Sequence, residues 1–350
     1  MRIYKTAQGR SSLYLAIKAL AIKNKKYIIT QAFTCSAVPE AIIFSGFKPF
    51  WLDIELDTFS IDIKKIRSVF EKYPDQFAAI FIQHTFGLTP KNYEEIKILA
   101  KKNNIPIIED RCHCNFIKNY KDFINNNIRE KIAYCYSFEN AKPINLGRGG
   151  VLMVSNLSGL ELRKIENEFK LFKNQNFLKS ILHLNIAIFY NFFFKTIFYY
   201  PILMFYRKLA AKGLMPSNFN KFLDDFSCEK IGFLQDKIIS FLIFACRLSL
   251  DKKSNPLIKK FFKNFLSKYF VKEKRFPIYV QNKEKAISLC KKNFTPVKDF
   301  FNTPIQPLKP NEYNNVNYTN KLCRKAEEAS RHIISLDKTP SERFLKKIKN

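Results

Sequence analysis

The chain has 350 residues, 47% hydrophobic and 15% aromatic, enough apolar side chains to build a packed core and so to exclude a disordered protein. Sixty Lys and Arg against 30 Asp and Glu give a formal charge of +30, and the surplus is uneven. Residues 1–160 carry 23 basic and 14 acidic residues, net +9, whereas 161–350 carry 37 and 16, net +21. Such a surplus points either to an anionic partner (a nucleic acid, an acidic membrane surface or a phosphorylated small molecule) or to compositional drift.

The eight cysteines are scattered, with no Cys-x-x-Cys pair and nothing like a secreted disulfide framework. Residues 1–20 contain Arg2, Lys5, Arg10 and Lys18 and no continuous apolar run, so no signal peptide is expected and the cytoplasm is the expected compartment. Cys112-His113-Cys114 has the residue types of a metal site. Neighbouring ligands on one strand end diverge, however, and no second cluster completes a tetrahedron, so no metal is expected.

Along the chain, Ser11-Ser12 leads into LYLAIKALAIKN, a helix with serine at its cap. Short β-branched or aromatic runs follow at 27–30, 49–54, 78–83, 105–110, 133–138 and 150–155. Helical stretches at 36–46 and 93–104 separate several of them. Alternating strands and helices with nearly continuous apolar strands predict an α/β fold: a mostly parallel sheet with helices on both faces, in three layers. Ligands in such sheets bind beyond the carboxyl ends of the strands, which directs attention to the polar residues after IPIIE and AYCY.

Residues 161–270 form a separate, aromatic and basic helical region around the apolar stretch 181–206. His183, Asn185, Asn191, Lys195 and Pro201 interrupt that stretch, so no membrane-spanning run is expected. The favoured reading is a pair of buried or dimer-interface helices broken near Pro201. The alternative is peripheral membrane contact through 181–206, with Arg207, Lys208 and Lys212 at the interface. From 271 to 350 a smaller C-terminal α/β domain is expected, beginning with RFPIYV at 275–280. The expected division is thus 1–160, 161–270 and 271–350.

Three segments carry candidate chemistry. In SFENAKPINLGRGGVLMVS (137–155), Lys142 follows a strand and precedes Gly-x-Gly-Gly, where glycines take positive φ or pass close to a ligand. A lysine there serves as a Schiff-base nucleophile when its pKa falls from about 10.4, or is an ordinary surface lysine in a turn. In IPIIEDRCHC (105–114), Asp110 ends an apolar strand, where a buried carboxylate needs a cation or strong donors. The protonated pyridine nitrogen of pyridoxal phosphate (PLP) would be such a cation; a strand-end cap is the other reading. In QGRSSLYLAIKAL (8–20), Gly9, Arg10, Ser11 and Ser12 precede a helix start that suits either a phosphate or a plain N-cap.

In order and spacing these segments resemble the DegT/DnrJ/StrS family of PLP-dependent sugar aminotransferases, within the aspartate aminotransferase superfamily (PLP fold type I). The resemblance covers nearly all of the first 156 residues and returns at 275–280 and 331–342. It implies that Lys142 is the catalytic lysine that binds the cofactor, pyridoxal 5'-phosphate. It further implies that Asp110 pairs with the pyridine nitrogen, His113 lies near the ring hydroxyl, and Ser137, Arg10 and Ser11 bind the phosphate. His84 and Gly87 match a His-x-x-Gly segment read as structural. Three departures stand out: Cys35 where many members stack an aromatic on the ring, Arg10 for Thr, and Pro143 for the usual Asn.

The function the resemblance implies is transfer of an amino group, from glutamate, to a keto group on a nucleotide-linked sugar for surface polysaccharide, by a homodimer. Three rivals are weighed. A PLP sugar dehydratase would carry histidine in place of Lys142. A catalytically altered, membrane-associated assembly protein would draw on Cys35 and 181–206. A nucleic-acid binder rests on the charge alone, and no nucleic-acid motif is present, so no nucleic-acid partner is expected.

Overall fold

The computed structural model describes residues 1–125, 131–140, 142–193, 226, 228–251, 254–269, 275–298, 301–336 and 340–349. In chain order its elements begin β1 (Arg2–Thr6), α1 (Gly9–Leu20), β2 (Tyr27–Gln31), α2 (Ala37–Phe44) and β3 (Lys48–Leu52). Next come α3 (Ile63–Lys72), β4 (Phe77–Gln83), α4 (Tyr93–Lys102), β5 (Ile107–Asp110), α5 (Phe116–Asn125), β6 (Ile132–Ser137) and β7 (Gly150–Ser155). Helices α6 (Gly159–Lys170), α7 (Phe177–Phe193), α8 (Phe233–Leu250) and α9 (Pro256–Tyr269) follow. The C-terminal part holds β8 (Phe276–Tyr279), α10 (Lys283–Lys292), β9 (Val297–Lys298), α11 (Arg324–His332), β10 (Ile333–Leu336) and α12 (Glu342–Lys349).

The chain divides into two compact units, one of Met1–Ala19, Glu109–Ile188 and Cys228–Lys274, the other of Leu20–Ile108, Phe189–Ser227 and Arg275–Asn350. In the first, the strands run in the order β1, β7, β6, β5. The β5–β6 pair is parallel, with Glu109 opposite Tyr134 and Asp110 opposite Cys135. The β6–β7 and β7–β1 pairs are antiparallel. Every residue of β6 and β7 is buried, so both faces are covered and neither run shows the alternation of a half-exposed strand. Phe116, Ile117 and Tyr120 of α5 and Ile239 and Leu242 of α8 pack with Tyr134, Tyr136, Val151 and Met153. The start of α6 is fixed by a capping box: Ser158 accepts from the Glu161 N–H, and the Glu161 carboxylate accepts from the Ser158 N–H.

In the second unit β3, β2 and β4 pair in parallel, and the Ile80 N–H of β4 donates to Pro106 C=O just ahead of β5. Ile63, Ile66 and Phe70 of α3 and Ile96 and Ala100 of α4, at helical spacing, fill one core with Ile29, Ile80 and Ile82. Trp51 belongs to another, where its Nε1–H donates to Val316 C=O at 2.8 Å. The antiparallel strands β8, β10 and β9 pack Ile278, Ile334 and Leu336 against Cys290 of α10 and Ile348 of α12.

The expected α/β class and mostly parallel pairing are therefore observed, and each strand read from the sequence forms to within a few residues. Helix α1 differs from expectation. It starts at Gly9, which places Ser11 and Ser12 in its first turn and not at its cap. The preceding turn is tied to it through hydroxyls: Thr6 donates to Gln8 C=O and shares a 2.7 Å hydrogen bond with the Ser12 hydroxyl. Of the stretch 181–206, residues 181–193 lie in α7, with Ala187 buried and Leu182 and Ile188 exposed; residues 194–206, including Pro201, lie outside the described residues. No described helix is long and apolar enough to cross a membrane.

Gly150 opens β7 directly beneath the chain that leads into α1. A Cβ there would stand 2.3 Å from Gln8 C=O oxygen and 2.6 Å from Thr6 Oγ1. Gly150→Ala is expected to lower stability by about 2 kcal/mol through overpacking, read as a lower urea midpoint at unchanged m-value. Gly159→Ala, whose Cβ would meet nothing within 4 Å, is the matched control and leaves the midpoint unchanged or higher.

Candidate functional site

The ends of β5 and β6 and the start of α1 all lie in the first unit. Asp110 closes β5 and is 7% exposed; its Oδ1 accepts from the Cys112 N–H at 2.9 Å. Glu109, its neighbour, faces differently: it pairs with Arg111 at 2.9 Å, whose guanidinium lies 3.7 Å from the Tyr134 ring centroid. Asp110 has no such Lys or Arg partner among the described residues. A buried carboxylate held only by the N–H and thiol of Cys112 retains capacity for a cation.

Lys142 sits in the excursion between β6 and β7. That loop is closed by the Phe138 N–H donating to Gly149 C=O and the Leu146 N–H donating to Phe138 C=O, both at 2.8 Å. Its own N–H donates to Glu139 C=O at 3.1 Å, while its ammonium makes no hydrogen bond or ion pair with a described residue. The charges of Asp110 and Lys142 converge on the Cys112 thiol. Burial pushes that thiol well up, Asp110 adds to the rise, and the Lys142 ammonium opposes it.

Beside Cys112 lies the first turn of α1. A Cβ on Gly9 would fall 2.8 Å from Ser137 Cβ, 3.1 Å from Ser137 Oγ and 3.2 Å from Cys112 Sγ, so these three residues are in direct contact. The Ser137 hydroxyl accepts weakly from the Glu139 N–H at 3.4 Å. Ser11 is fully buried, and its hydroxyl donates to the Cys228 thiol beside it. Burial pushes that thiol up to about 12. Arg10 Nε donates to Gln8 Oε1 at 2.8 Å. A buried hydroxyl, an arginine and the positive end of a helix dipole form a set suited to an anion such as phosphate.

The sequence candidates therefore gather in part. Asp110 and Gly9 lie against Cys112, Gly9 also packs on Ser137, and the Lys142 charge reaches the same thiol, whereas Ser11 and Arg10 lie beside Cys228; His113 is half-exposed in the turn immediately after Cys112. The glycines after Lys142 serve protein packing. Gly147 takes φ +77°, donates to Asn145 Oδ1 at 2.8 Å, and would place a Cβ 1.8 Å from the His183 C=O oxygen of α7. Sequence reasoning did not find Cys112 as the meeting point, nor the buried, unpartnered Asn145 Nδ2 and Arg148 Nε. The signal for Arg148 was its place inside Gly-x-Gly-Gly; for Cys112 there was none.

Cys35, His84 and Gly87 lie in the second unit. Thr34–Cys35 pairs in parallel with Ile305–Gln306. His84 is buried edge-on to Tyr93, and Gly87, at φ +79°, donates to His84 C=O at 2.9 Å. That segment is a buried turn, as its motif suggested.

Residues 4–176 match the DegT/DnrJ/EryC1/StrS aminotransferase family. Over 172 residues, 49% of this chain and 43% of the relative, the sequence is 31% identical to UDP-4-amino-4,6-dideoxy-N-acetyl-beta-L-altrosamine transaminase of Campylobacter jejuni strain 81-176. Over 149 residues, 43% of this chain and 39% of the relative, it is 29% identical to GDP-perosamine synthase of Escherichia coli O157:H7. The matched segment thus spans less than half the length of these relatives. Among solved structures, NtdA from Bacillus subtilis with bound cofactor PMP aligns with a TM-score of 0.59 at 16% identity, covering 100% of this chain and 72% of that one. A DegT DnrJ EryC1 StrS aminotransferase from Brucella abortus aligns with a TM-score of 0.54 at 15% identity, covering 99% and 84%. These likenesses establish the fold as PLP fold type I.

His183, against which Gly147 packs, is lowered from 6.5 to about 4 by burial and by the positive charges of Arg148 and Lys179. Because the folded state disfavours its protonation, the stability tied to neutral His183 is complete above 6.5 and is lost as pH falls from 6.5 towards 4. Proton NMR of the imidazole should show a midpoint near 4, and Arg148→Gln should move it towards 6.5. A midpoint already near 6.5 in the unmodified protein would contradict this packing.

Proposed function

We propose, from the match of residues 4–176 to the DegT/DnrJ/EryC1/StrS aminotransferase family, that this protein is a PLP-dependent transaminase acting on a nucleotide-linked sugar. The observation that carries the reading is that Gly9 at the start of α1 packs on both Ser137 and Cys112, the residue whose N–H is held by Asp110 and whose thiol feels the Lys142 charge. The residues suit the cofactor on their own chemistry: an amine with no hydrogen bond or ion pair among the described residues, a buried carboxylate with spare acceptor capacity, and a buried hydroxyl at a helix start. Lys142 would hold the cofactor aldehyde, Asp110 its ring nitrogen, and Ser11, Ser137 and Arg10 its phosphate, with His113 towards the ring hydroxyl.

Bound there, PLP supplies the electron sink that lets an amino group leave one carbon and join another. The chain supplies the rest. The Lys142 amine, once released from the cofactor, carries the proton that must leave the donor carbon, as general base and then general acid. The Asp110 carboxylate keeps a proton on the ring nitrogen by offering it a negative charge in a buried setting. The turn at Gly9–Ser11 anchors the phosphate and so fixes the distance from Lys142 to the reacting carbon.

The names of the relatives support an amino sugar carried on a nucleoside diphosphate, and the basic surplus suits such a substrate. Glutamate as donor, a role in surface polysaccharide and a homodimeric assembly complete the reading. Peripheral membrane contact through 181–206 draws its support from Leu182 and Ile188, both exposed on α7. Lys142 favours transamination over a dehydratase that places histidine there.

Borohydride reduction of the protein mixed with PLP, followed by digestion, should leave the pyridoxyl mass on the peptide containing Lys142. Lys142→Ala should abolish that mass and lower amino transfer by about a hundredfold or more. A labelled peptide elsewhere, or transfer that survives in the variant, would overturn the assignment. Ser11→Ala should weaken PLP binding several-fold in equilibrium dialysis while costing the unliganded protein no more than about 1 kcal/mol, the loss of one weak hydroxyl–thiol hydrogen bond.

A further inference from the structure

Helices α8 and α9 present an outward face unlike that of an ordinary surface helix. On α8 the exposed residues are Phe233, Lys237, Phe241, Phe244 and Arg247, spaced by four, four, three and three, and so on one stripe. The opposite stripe, Ile239, Leu242, Ala245 and Cys246, is buried against α5 and the strands, so the core is already served. Phe233, Phe241 and Phe244 are 55%, 44% and 53% exposed. On α9, Leu257, Ile258 and Phe261 are 77%, 47% and 63% exposed. The rings join across the two helices: Phe241 lies 6.2 Å from Phe262 and 5.9 Å from Phe265, and Phe261 stacks on Phe265 at 6.3 Å.

Cations border these rings. Lys237 lies over Phe233 at 5.2 Å from the centroid, and Lys260 and Lys263 are exposed on α9. Arg247 reaches back with its Nε to the Tyr120 hydroxyl at 3.0 Å, fixing that end of the stripe to the core. No Asp or Glu occurs between Pro256 and Tyr269, and the acid of α8's first turn, Asp236, is engaged by Lys5 at 2.6 Å.

We propose that the α8–α9 face binds an anionic lipid surface, with Phe241, Phe244, Phe261 and Leu257 entering the headgroup–acyl boundary and Lys237, Lys260 and Lys263 meeting lipid phosphates. Apolar and aromatic side chains ringed by lysine are the pattern of helices that lie in the plane of a membrane interface. A second copy of the chain fits this face poorly, because the same cations would oppose one another across a two-fold axis. Single-stranded nucleic acid fits poorly too, since Leu257 and Ile258, among the most exposed groups, offer no ring for base stacking. The surface is distinct from residues 181–206 and does not rest on the transaminase reading.

Flotation of the full-length protein with vesicles tests it. The protein should rise with an equal mixture of phosphatidylcholine and phosphatidylglycerol, stay behind with phosphatidylcholine alone, and lose binding as salt is raised. Combining Phe241→Ser, Phe244→Ser and Phe261→Ser keeps every charge and should weaken partition about tenfold or more. Lys237→Glu with Lys260→Glu and Lys263→Glu keeps every ring and should do the same, with melting temperature as the folding control for both. Undiminished flotation of the phenylalanine variant would reduce the effect to general attraction by a basic protein and overturn the proposal. Failure of the unmodified protein to float, or a dimer abolished by the serine substitutions without any vesicle binding, would overturn it as well.

Discussion

The site depends on backbone approaching side chain more closely than any Cβ would allow. Gly9 rests against Ser137 and Cys112, and Gly150 rests against Gln8, so the loop between β1 and α1 is pressed onto the ends of β5 and β6. With a side chain at either position the first turn of α1 would have to lift away. Gly9 would then no longer rest on Ser137 and on Cys112, the residue that Asp110 holds. The Thr6, Gln8 and Ser12 hydrogen bonds hold the same loop from the other side, which is why this helix begins at its glycine.

Within that frame, two adjacent carboxylates are given different fates. Strand β5 turns Glu109 to Arg111, whose guanidinium lies over Tyr134, and turns Asp110 to the N–H and thiol of Cys112. Alternation along a strand produces this division without further machinery. Burial does the rest, since it makes a weakly solvated carboxylate a seat for a cation and keeps the Cys112 thiol in its neutral form.

The basic surplus finds a partial structural meaning. Much of it lies beyond residue 160, and in α8 and α9 it borders exposed rings and aliphatic groups that the core does not need. Charge and apolar surface are placed together there, in a region whose inner face is ordinary helix packing. The two faces of α8 thus answer to different constraints: one to the strands it covers, the other to whatever surrounds the protein.

The α/β class, the positions of β2 to β7 and the identity of Asp110, Lys142 and Ser137 as candidates were legible in the sequence, because buried parallel strands are continuous apolar runs and their polar ends stand out against them. Strand β1 was not legible: RIYKT alternates weakly and is a strand only because β7 offers it an antiparallel edge. Helix α3 was missed although Ile63, Ile66 and Phe70 recur at helical spacing, since short amphipathic segments are ambiguous without the sheet they cover. The start of α1 was misplaced because serine is the usual cap, whereas here Ser11 and Ser12 are buried inside the first turn and the Ser12 hydroxyl bonds to Thr6. Sequence by itself determined which residues are candidates for the chemistry. Tertiary structure alone decided that Gly9, Cys112 and Ser137 touch, that Gly147 makes room for α7, and that α8 shows rings to its surroundings. Those are facts about residues distant in the chain, and no local propensity encodes how closely two such backbones approach.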